Sequence, residues 1–284
     1  MSKALSSWFG LSLCTLSYLY ATSNTALAEA RLALGEETLS EGVYHKGISE
    51  GVSFRTTSFR TPSFLAQVTS DGTVNTQVTE NGNTAEITGG ETRGDNLFHS
   101  FQDFSVPTGN EASFLNANDI SNIFSRVTGG DISNIDGLIS ANGSANLFLI
   151  NPAGIIFGEG ARLDIGGSFY GSSASSILFE DGEFSATDLD NPPLLTINAP
   201  IGLGFRDQPG DIVNNSVANN DRGLEVNSGN NISLLGGDVN FDGGRIFAPG
   251  GIVHLGGLTS TGTINFADDV SLSFSDNVLK ADVS

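Results

Sequence analysis

Cysteine, methionine and tryptophan are nearly missing from this chain of 284 residues, in which each occurs once. They stand at Cys14, Met1 and Trp8, so removal of a short N-terminal segment would leave none of them. With one thiol, the chain cannot form an internal disulfide framework. Because Cys14 lies in the N-terminal segment, the rest of the chain has no cysteine nucleophile and no thiolate ligand for a metal. The fold must therefore be held by its core, and 38% hydrophobic residues with 19 phenylalanines can build one.

Positive charge is also scarce. The chain has 12 Lys and Arg against 32 Asp and Glu, a formal net charge of −20, and the basic residues are scattered singly. Binding to nucleic acid needs clustered Lys and Arg, so we expect no nucleic-acid partner. The 36 glycines follow no three-residue period, which indicates many turns and not a collagen-like helix.

The N-terminus carries the pattern of a secretory signal. Residues 1–28 combine Lys3, an uncharged stretch over 8–20 and the small-x-small site Ala26-Leu27-Ala28, which together predict a cleaved signal peptide. The alternative is an N-terminal membrane anchor, but the apolar stretch is short for a membrane span and rich in Ser and Thr. Residues 29–65 predict a poorly ordered leader or linker.

From Gln67 onward, short apolar runs alternate with turn residues. Pairs such as Asn81-Gly82 and Asp136-Gly137 close these runs, and Asx-Gly is a strong turn signal. The pattern predicts an all-β fold of many short strands. The clearest runs are Leu97–Val106, Ile123–Phe124, Ile132–Ile135, Leu138–Ile139, Leu147–Ile150, Ile155–Phe157 and Leu163–Ile165.

A repeat near the C-terminus favours a solenoid over a sandwich. Leu235-Gly236-Gly237 recurs 20 residues later as Leu255-Gly256-Gly257. A period of about 20 residues with one glycine-rich corner is typical of one β-helix coil. Each coil exposes its apolar face unless a neighbour covers it. The sequence ends without an evident capping element, so we expect a short family member or a truncated product.

Two groups of residues are candidates for chemistry, and neither fits its template. Asp238–Gly243 begins like a calcium loop, but the twelfth position is Pro249 instead of an acidic ligand. His45, His99 and His254 are far apart in sequence, and no G-x-S-x-G elbow accompanies them. We therefore predict no catalytic residue, no metal ligand and no cofactor. A β-helical carbohydrate-active enzyme with clustered carboxylates and a calcium-stabilised repeat remain alternatives.

The most specific local element is a strand, turn and strand over residues 146–158. Asn151, Pro152 and Gly154 stand at the first, second and fourth positions of a predicted type I turn. The Asn side chain can accept a bond from the backbone two residues on, and proline fixes the next φ. The flanking apolar runs predict core strands.

Four motifs in order resemble the N-terminal secretion domain of filamentous haemagglutinins, the two-partner-secretion domain. The resemblance covers roughly residues 66–205, and the glycine-rich residues 206–284 look like further β-helix coils. The motifs are Asn96–Phe101 with Phe104 and Val106, then Ile123–Gly130, Asn146–Gly158 and Gly166–Phe169.

This resemblance implies a right-handed parallel β-helix, with extra short antiparallel strands near the N-terminus. It implies export by the Sec machinery to the periplasm of a Gram-negative bacterium. There, an outer-membrane β-barrel transporter would recognise the chain through its periplasmic POTRA domains. The mature protein would be secreted or held at the cell surface with an adhesive role, for which host-cell or surface glycans are the candidate ligands.

The resemblance also implies site residues. An Asn-Pro-Asn-Gly-Ile turn is important for secretion in the family, and Asn151, Pro152, Gly154 and Ile155 match it, with Ala153 in place of the second Asn. Together with Asn146, these four residues form the predicted transporter-recognition and turn motif.

Overall fold

The structure is a computed structural model that describes residues 67–191, 193–206, 208–267, 271–276 and 278–284. The predicted signal peptide, the predicted linker and His45 lie outside these residues. Across the described ranges, no helix is long and apolar enough to cross a membrane.

Short strands account for almost all of the regular structure, as the alternation of apolar runs and turn residues predicts. Within the described ranges, the one helical segment is α1 (Ala218–Asp221), a single turn whose Asn219, Asn220 and Asp221 have φ of 55°, 56° and 67°. Asn and Asp tolerate this left-handed conformation better than most residues. The strands are β1 Gln67–Ser70, β2 Thr76–Asn81, β3 Thr84–Gly89, β4 Glu91–Arg93, β5 Asn96–Ser105, β6 Glu111–Phe114, β7 Asn122–Val127, β8 Ser133–Ile135, β9 Leu138–Ala141, β10 Asn146–Ile150, β11 Ile155–Phe157, β12 Arg162–Asp164, β13 Phe169–Ser172, β14 Ser176–Phe179, β15 Gly182–Ser185, β16 Gly202–Phe205, β17 Ile212–Asn214, β18 Leu224–Glu225, β19 Ile232–Gly236, β20 Val239–Phe241, β21 Ile246–Phe247, β22 Val253–Gly257, β23 Gly262–Ala267 and β24 Ser271–Phe274.

The strands wind into a β-solenoid of about six turns. Its long sheet has the order β1-β5-β7-β10-β13-β19-β22, and its second sheet has the order β20-β17-β11-β8. The third side consists of β12-β9-β6-β3-β2, continued by the pair β18-β21. Strands from successive coils pair in parallel, for example β5 with β7 and β7 with β10. This arrangement confirms the predicted parallel β-helix.

Antiparallel strands close the N-terminal end of the solenoid, as predicted. Strands β1 and β4 both pair antiparallel with β5. The hairpin of β2 and β3 turns at Gly82, where φ is 65°. These strands cover the first coil, which would otherwise expose its core and an open edge.

Two apolar cores lie on opposite faces of the long sheet, because successive side chains of a strand point to opposite faces. Each face carries a row of side chains that lie in register from one coil to the next. One row is mostly aliphatic, and the other is aromatic. The interior row is Leu97, Ile123, Leu147, Phe169 and Ile232, and the outer row is Phe98, Phe124, Phe148 and Tyr170.

An antiparallel lobe covers the outer aromatic row. Its sheet has the order β15-β14-β16-β23-β24. Strands β14, β15 and β16 lie between β13 and β17 in the chain, and β23 and β24 follow β22. Phe184, Leu203 and Ile264 of this sheet are buried against Phe98 and its neighbours. No pattern of turns or apolar runs in the sequence predicts this lobe. Strand β16 ends at residue 205, the end of the predicted secretion domain, yet it pairs with β23 beyond that position; the boundary itself stays a prediction.

The glycine repeat marks stacked coils, and the predicted period of about 20 residues is confirmed by an offset of 21 residues between β19 and β22. Ile232 pairs with Val253, and Leu235 pairs with Gly256 instead of Leu255. Leu235 is buried in the outer core, whereas Leu255 is 37% exposed. A one-residue slip moves every side chain of a strand to the other face, so matching Leu-Gly-Gly letters do not occupy equivalent positions.

Candidate functional site

The predicted turn motif forms a closed corner between the long sheet and the second sheet. The Gly154 amide donates to the Asn151 carbonyl over 2.9 Å, which closes the turn from its first to its fourth residue. The Ala153 amide donates to Asn151 Oδ1 over 3.0 Å. Both bonds are those expected from an Asn-Pro start to a turn, so residues 151–154 form the predicted tight turn; its type I conformation stays a prediction.

Neighbouring coils hold this corner from both sides. Asn151 Nδ2 donates to the Asp131 carbonyl and to Ser133 Oγ, each over 2.9 Å. On the other side, the Ile155 amide donates to the Asp211 carbonyl over 3.1 Å. The corner therefore bonds to the coil before it and to the coil after it.

Only glycine fits at position 154. Its φ is 113°, and a Cβ there would lie 2.7 Å from the Asp211 carbonyl oxygen. That contact is shorter than any real Cβ makes, and the backbone conformation is itself unfavourable for L side chains. The glycine of the motif is thus required by the stacking of coils.

The motif is mostly hidden in the folded domain. Asn151, Gly154 and Ile155 are buried, and only Pro152 and Ala153 are partly exposed. Buried side chains cannot touch a partner of the folded domain. Any recognition through Asn151 or Ile155 would need the chain before it folds, or would act through exposed neighbours that these residues hold in place.

Asn146 lies apart from the turn, in a row of amides that crosses the coils. Its Nδ2 donates to Asn122 Oδ1 over 3.0 Å, and Asn122 Nδ2 donates to Asn96 Oδ1 over 3.0 Å. Asn96 Nδ2 in turn donates to the carbonyls of Thr196 and Asn198, which lie between β15 and β16.

The amide row continues towards the C-terminal end. The Ser168 amide donates to Asn146 Oδ1 over 2.9 Å, and the Asn231 amide donates to Ser168 Oγ over 3.0 Å. Finally, the Ile252 amide donates to Asn231 Oδ1 over 2.8 Å. Charge-free ladders of this kind satisfy half-buried polar groups and fix the register between coils, which assigns Asn146 a structural role in the folded domain.

Sequence reasoning missed the buried Arg126, which joins three parts of the chain. The side chain is 1% exposed. Its Nε donates to Ser100 Oγ over 2.8 Å, its Nη2 donates to Thr73 Oγ1 over 3.0 Å, and its Nη1 donates to the Ser185 carbonyl. The guanidinium also lies 4.6 Å from the ring centre of Phe184. The only signal in the sequence is a charged residue inside the apolar run of Ile123–Val127.

A carboxylate balances this buried cation. Asp71 accepts hydrogen bonds from Ser100 Oγ over 2.5 Å and from Thr128 Oγ1 over 3.0 Å, and from the Thr73 amide over 2.9 Å. Burial alone would raise the pKa of Asp71, but these hydrogen bonds outweigh it and hold the pKa below its usual value. Burial lowers the pKa of Arg126, and the Asp71 charge opposes that change.

His99 is a core residue. It is 1% exposed, packs against the rings of Phe101 and Phe114, and has Nδ1 3.2 Å from Thr76 Oγ1. Burial lowers the pKa of His99 to about 4, so the ring is neutral at physiological pH. His254 lies on β22, the last strand in the order of the long sheet. Its Nδ1 is 3.2 Å from Ser233 Oγ.

The calcium-like segment serves the stacking of coils. Val239 is buried in the core, while Asp238 Oδ1 accepts the Asp282 amide over 3.0 Å and Asn240 Oδ1 accepts the Ser284 hydroxyl over 2.6 Å. In the described residues, no group of three or more His, Cys, Asp and Glu side chains could hold a metal ion.

Comparisons with known proteins identify the family. The profile of the TPS secretion domain matches residues 66–283. The heme/hemopexin-binding protein of Haemophilus influenzae is 33% identical over 79 residues, which are 28% of this chain and 8% of that protein. The crystal structure of the HMW1 secretion domain from Haemophilus influenzae superposes with a TM-score of 0.46 at 20% identity, over 75% of this chain and 49% of that one.

The chain spans less than half of the length of either relative. The profile, in contrast, covers nearly all of the described region. The matched family is one of secretion domains and is not a known family of enzymes. The chain therefore belongs to the TPS secretion domain family, the secretion domains of two-partner-secreted exoproteins.

Proposed function

We propose that residues 67–284 direct the export of this polypeptide through a partner β-barrel transporter of the outer membrane. The single observation that carries the proposal is the family match over residues 66–283. In this proposal, residues 1–28 take the chain through the Sec machinery, and the POTRA domains of the transporter bind it in the periplasm. The mature protein is then secreted or held at the surface of a Gram-negative cell.

The solenoid suits this route physically. Each coil stacks on its predecessor through parallel strands such as β7 on β5 and β10 on β7, so the fold can grow coil by coil from its covered N-terminal end. An extended chain offers strands that a transporter domain can pair with by strand addition. Folded coils outside the cell cannot slide back, so folding favours net outward movement.

The turn motif belongs to this proposal in a defined way. We assign Asn151, Pro152, Gly154 and Ile155 to transporter recognition, with Asn146 in support. Since three of these residues are buried after folding, we expect the transporter to contact them directly while the chain is still extended. The resemblance to filamentous haemagglutinins further supports an adhesive role, with host-cell or surface glycans as the ligand class.

The test is binding between this chain without residues 1–28 and the isolated periplasmic domains of a two-partner transporter from the same genome. The full length to Ser284 is used because β16 pairs with β23 across residue 205. We expect a complex in a pull-down, and loss of the chain from the culture medium when the transporter is deleted. Absence of both effects would refute the proposal.

A further inference from the structure

A small pocket of about 210 Å³ lies beside the first coil, between the hairpin of β2 and β3, strand β5 and the loop that follows β6. Apolar side chains make much of its wall. Ile87 of β3, Leu97 of β5 and Ile120 of the loop are buried, and Leu115 at the mouth is 43% exposed. An apolar cavity of about 150 Å³ can hold a benzene molecule, so this pocket has room for a molecule with one ring.

The wall of the pocket is uncharged. None of the described residues that line it is Asp, Glu, Lys or Arg, although the chain as a whole has a net charge of −20. A charged ligand would lose its hydration there without meeting a counter-charge. The pocket therefore favours an uncharged ligand.

The loop after β6 is a fixed part of the wall. Asn116 in this loop is buried, and its Nδ2 donates to the carbonyls of Ala117 and Asn142, each over 3.0 Å. Its Oδ1 accepts the Asn142 amide over 3.0 Å. The Leu115 amide donates to the Ile87 carbonyl over 2.9 Å. These bonds tie the loop to the next coil and to the hairpin, so the pocket is formed before a ligand enters.

His99 supplies a hydrogen-bond donor to this apolar wall. The side chain lines the pocket and is buried. Its Nδ1 lies 3.2 Å from Thr76 Oγ1, and the Ser100 amide donates to the same hydroxyl over 3.1 Å. The hydroxyl proton is therefore directed at Nδ1, which places the ring proton of the neutral imidazole on Nε2. In the part of the chain that the structure describes, Nε2 makes no hydrogen bond. A buried N–H without an acceptor is costly, so a ligand with an acceptor would be favoured.

We propose that this pocket binds a small uncharged molecule whose apolar ring packs against Ile87 and Ile120 and whose carbonyl oxygen accepts a hydrogen bond from His99 Nε2. Cyclic ketones and lactones have this chemistry, with one acceptor on an apolar body. Such a ligand contacts the hairpin, β5 and the loop together, and so it stabilises the N-terminal end of the solenoid. The site is separate from the turn motif at Asn151 and does not depend on the proposed function.

The test uses cyclohexanone, which has one ring and one carbonyl oxygen. The chain without residues 1–28 is isotope-labelled at its histidine ring nitrogens and titrated with cyclohexanone by NMR. For a ligand of this size we expect a Kd on the order of 1 mM. The ring signals of His99 should move, and those of His254 should stay in place. Cyclohexylammonium has the same ring but carries a charge and no acceptor, so it should move neither set of signals up to about 20 mM.

Matched variants assign the binding to His99. His99→Phe keeps a ring and removes the Nε2–H, and His254→Phe makes the same change at a histidine whose Nδ1 is also 3.2 Å from a hydroxyl oxygen. In saturation-transfer NMR of the ligand, we expect the first variant to weaken cyclohexanone binding at least about 5-fold and the second less than about 2-fold. If His99→Phe does not fold, Leu115→Asp places a charge at the exposed mouth and should weaken binding by a similar factor. Unmoved His99 signals with cyclohexanone up to about 20 mM, or equal binding by the two histidine variants, would overturn the site.

Discussion

Replacing Arg126 with methionine should be among the most damaging single changes in this domain. Methionine keeps an unbranched side chain of similar length, so little cavity forms. The change removes the bonds to Ser100, Thr73 and Ser185 and leaves Asp71 without its neighbouring cation. A hydrogen bond to a charged group typically contributes about 1.5–3 kcal/mol, and with three such bonds removed together we expect a loss of about 3–5 kcal/mol.

The assay is urea unfolding monitored by far-UV circular dichroism. The free energy of unfolding is extrapolated to water, and the slope m of its dependence on urea should be the same for variant and unmodified chain. The control is Arg206→Met. The Arg206 side chain is 56% exposed and lies 3.7 Å from a Glu183 oxygen, so its loss should cost less than about 1 kcal/mol. The double variant Asp71→Asn/Arg126→Met should lose less than the sum of the single changes, by about 1–3 kcal/mol. A cost for Arg126→Met no larger than that of the control would refute the assignment of Arg126 as the link between the three segments.

Three further predictions concern the core, the amide row and the turn. His99→Phe should flatten the dependence of stability on pH. The unfolded chain binds a proton near pH 6.5 and the folded chain only near pH 4, so the unmodified protein should lose about 3 kcal/mol more than the variant between about pH 7 and pH 4; parallel curves would contradict this. Asn122→Ala should lower the free energy of unfolding by about 2 kcal/mol because two amide partners lose a bond, whereas the exposed Asn118→Ala should change it little in the same urea titration. Gly154→Ala should lower the melting temperature well beyond Gly72→Ala, since both glycines have positive φ but a Cβ at 72 meets nothing within 4 Å; equal shifts would show that the contact with the neighbouring coil is unimportant.

Local chemistry explains which parts of the fold the sequence predicts. The turn at Asn151 needs only the preferences of an Asn-Pro-x-Gly run, and its two hydrogen bonds form as expected. Most of the short strands likewise follow from apolar runs closed by glycine. One repeat predicts the stacking of coils and a period of about 20 residues, but it leaves the register open because equal letters do not define which face of a strand is buried.

The lobe and the Arg126 cluster depend on contacts that no local pattern records. Strand β16 meets β23 through pairs such as Leu203 with Ile264, which are far apart in the chain and joined by no hairpin signal. The partners of Arg126 come from residues 73, 100 and 185, so a lone arginine in an apolar run gives no indication of them.

The row of amides has a consequence for how such a molecule can change in length. Steps along the row from Asn96 to Ile252 span 26, 24, 22, 63 and 21 residues, yet every step is bridged by a hydrogen bond. The position of the polar side chain on each strand therefore sets the alignment of neighbouring coils, whatever the number of residues between the strands. Loops at the corners can gain or lose residues, and one of them holds most of a lobe. A residue inserted directly after Asn122, by contrast, would move the following side chains of β7 to the opposite face of the sheet.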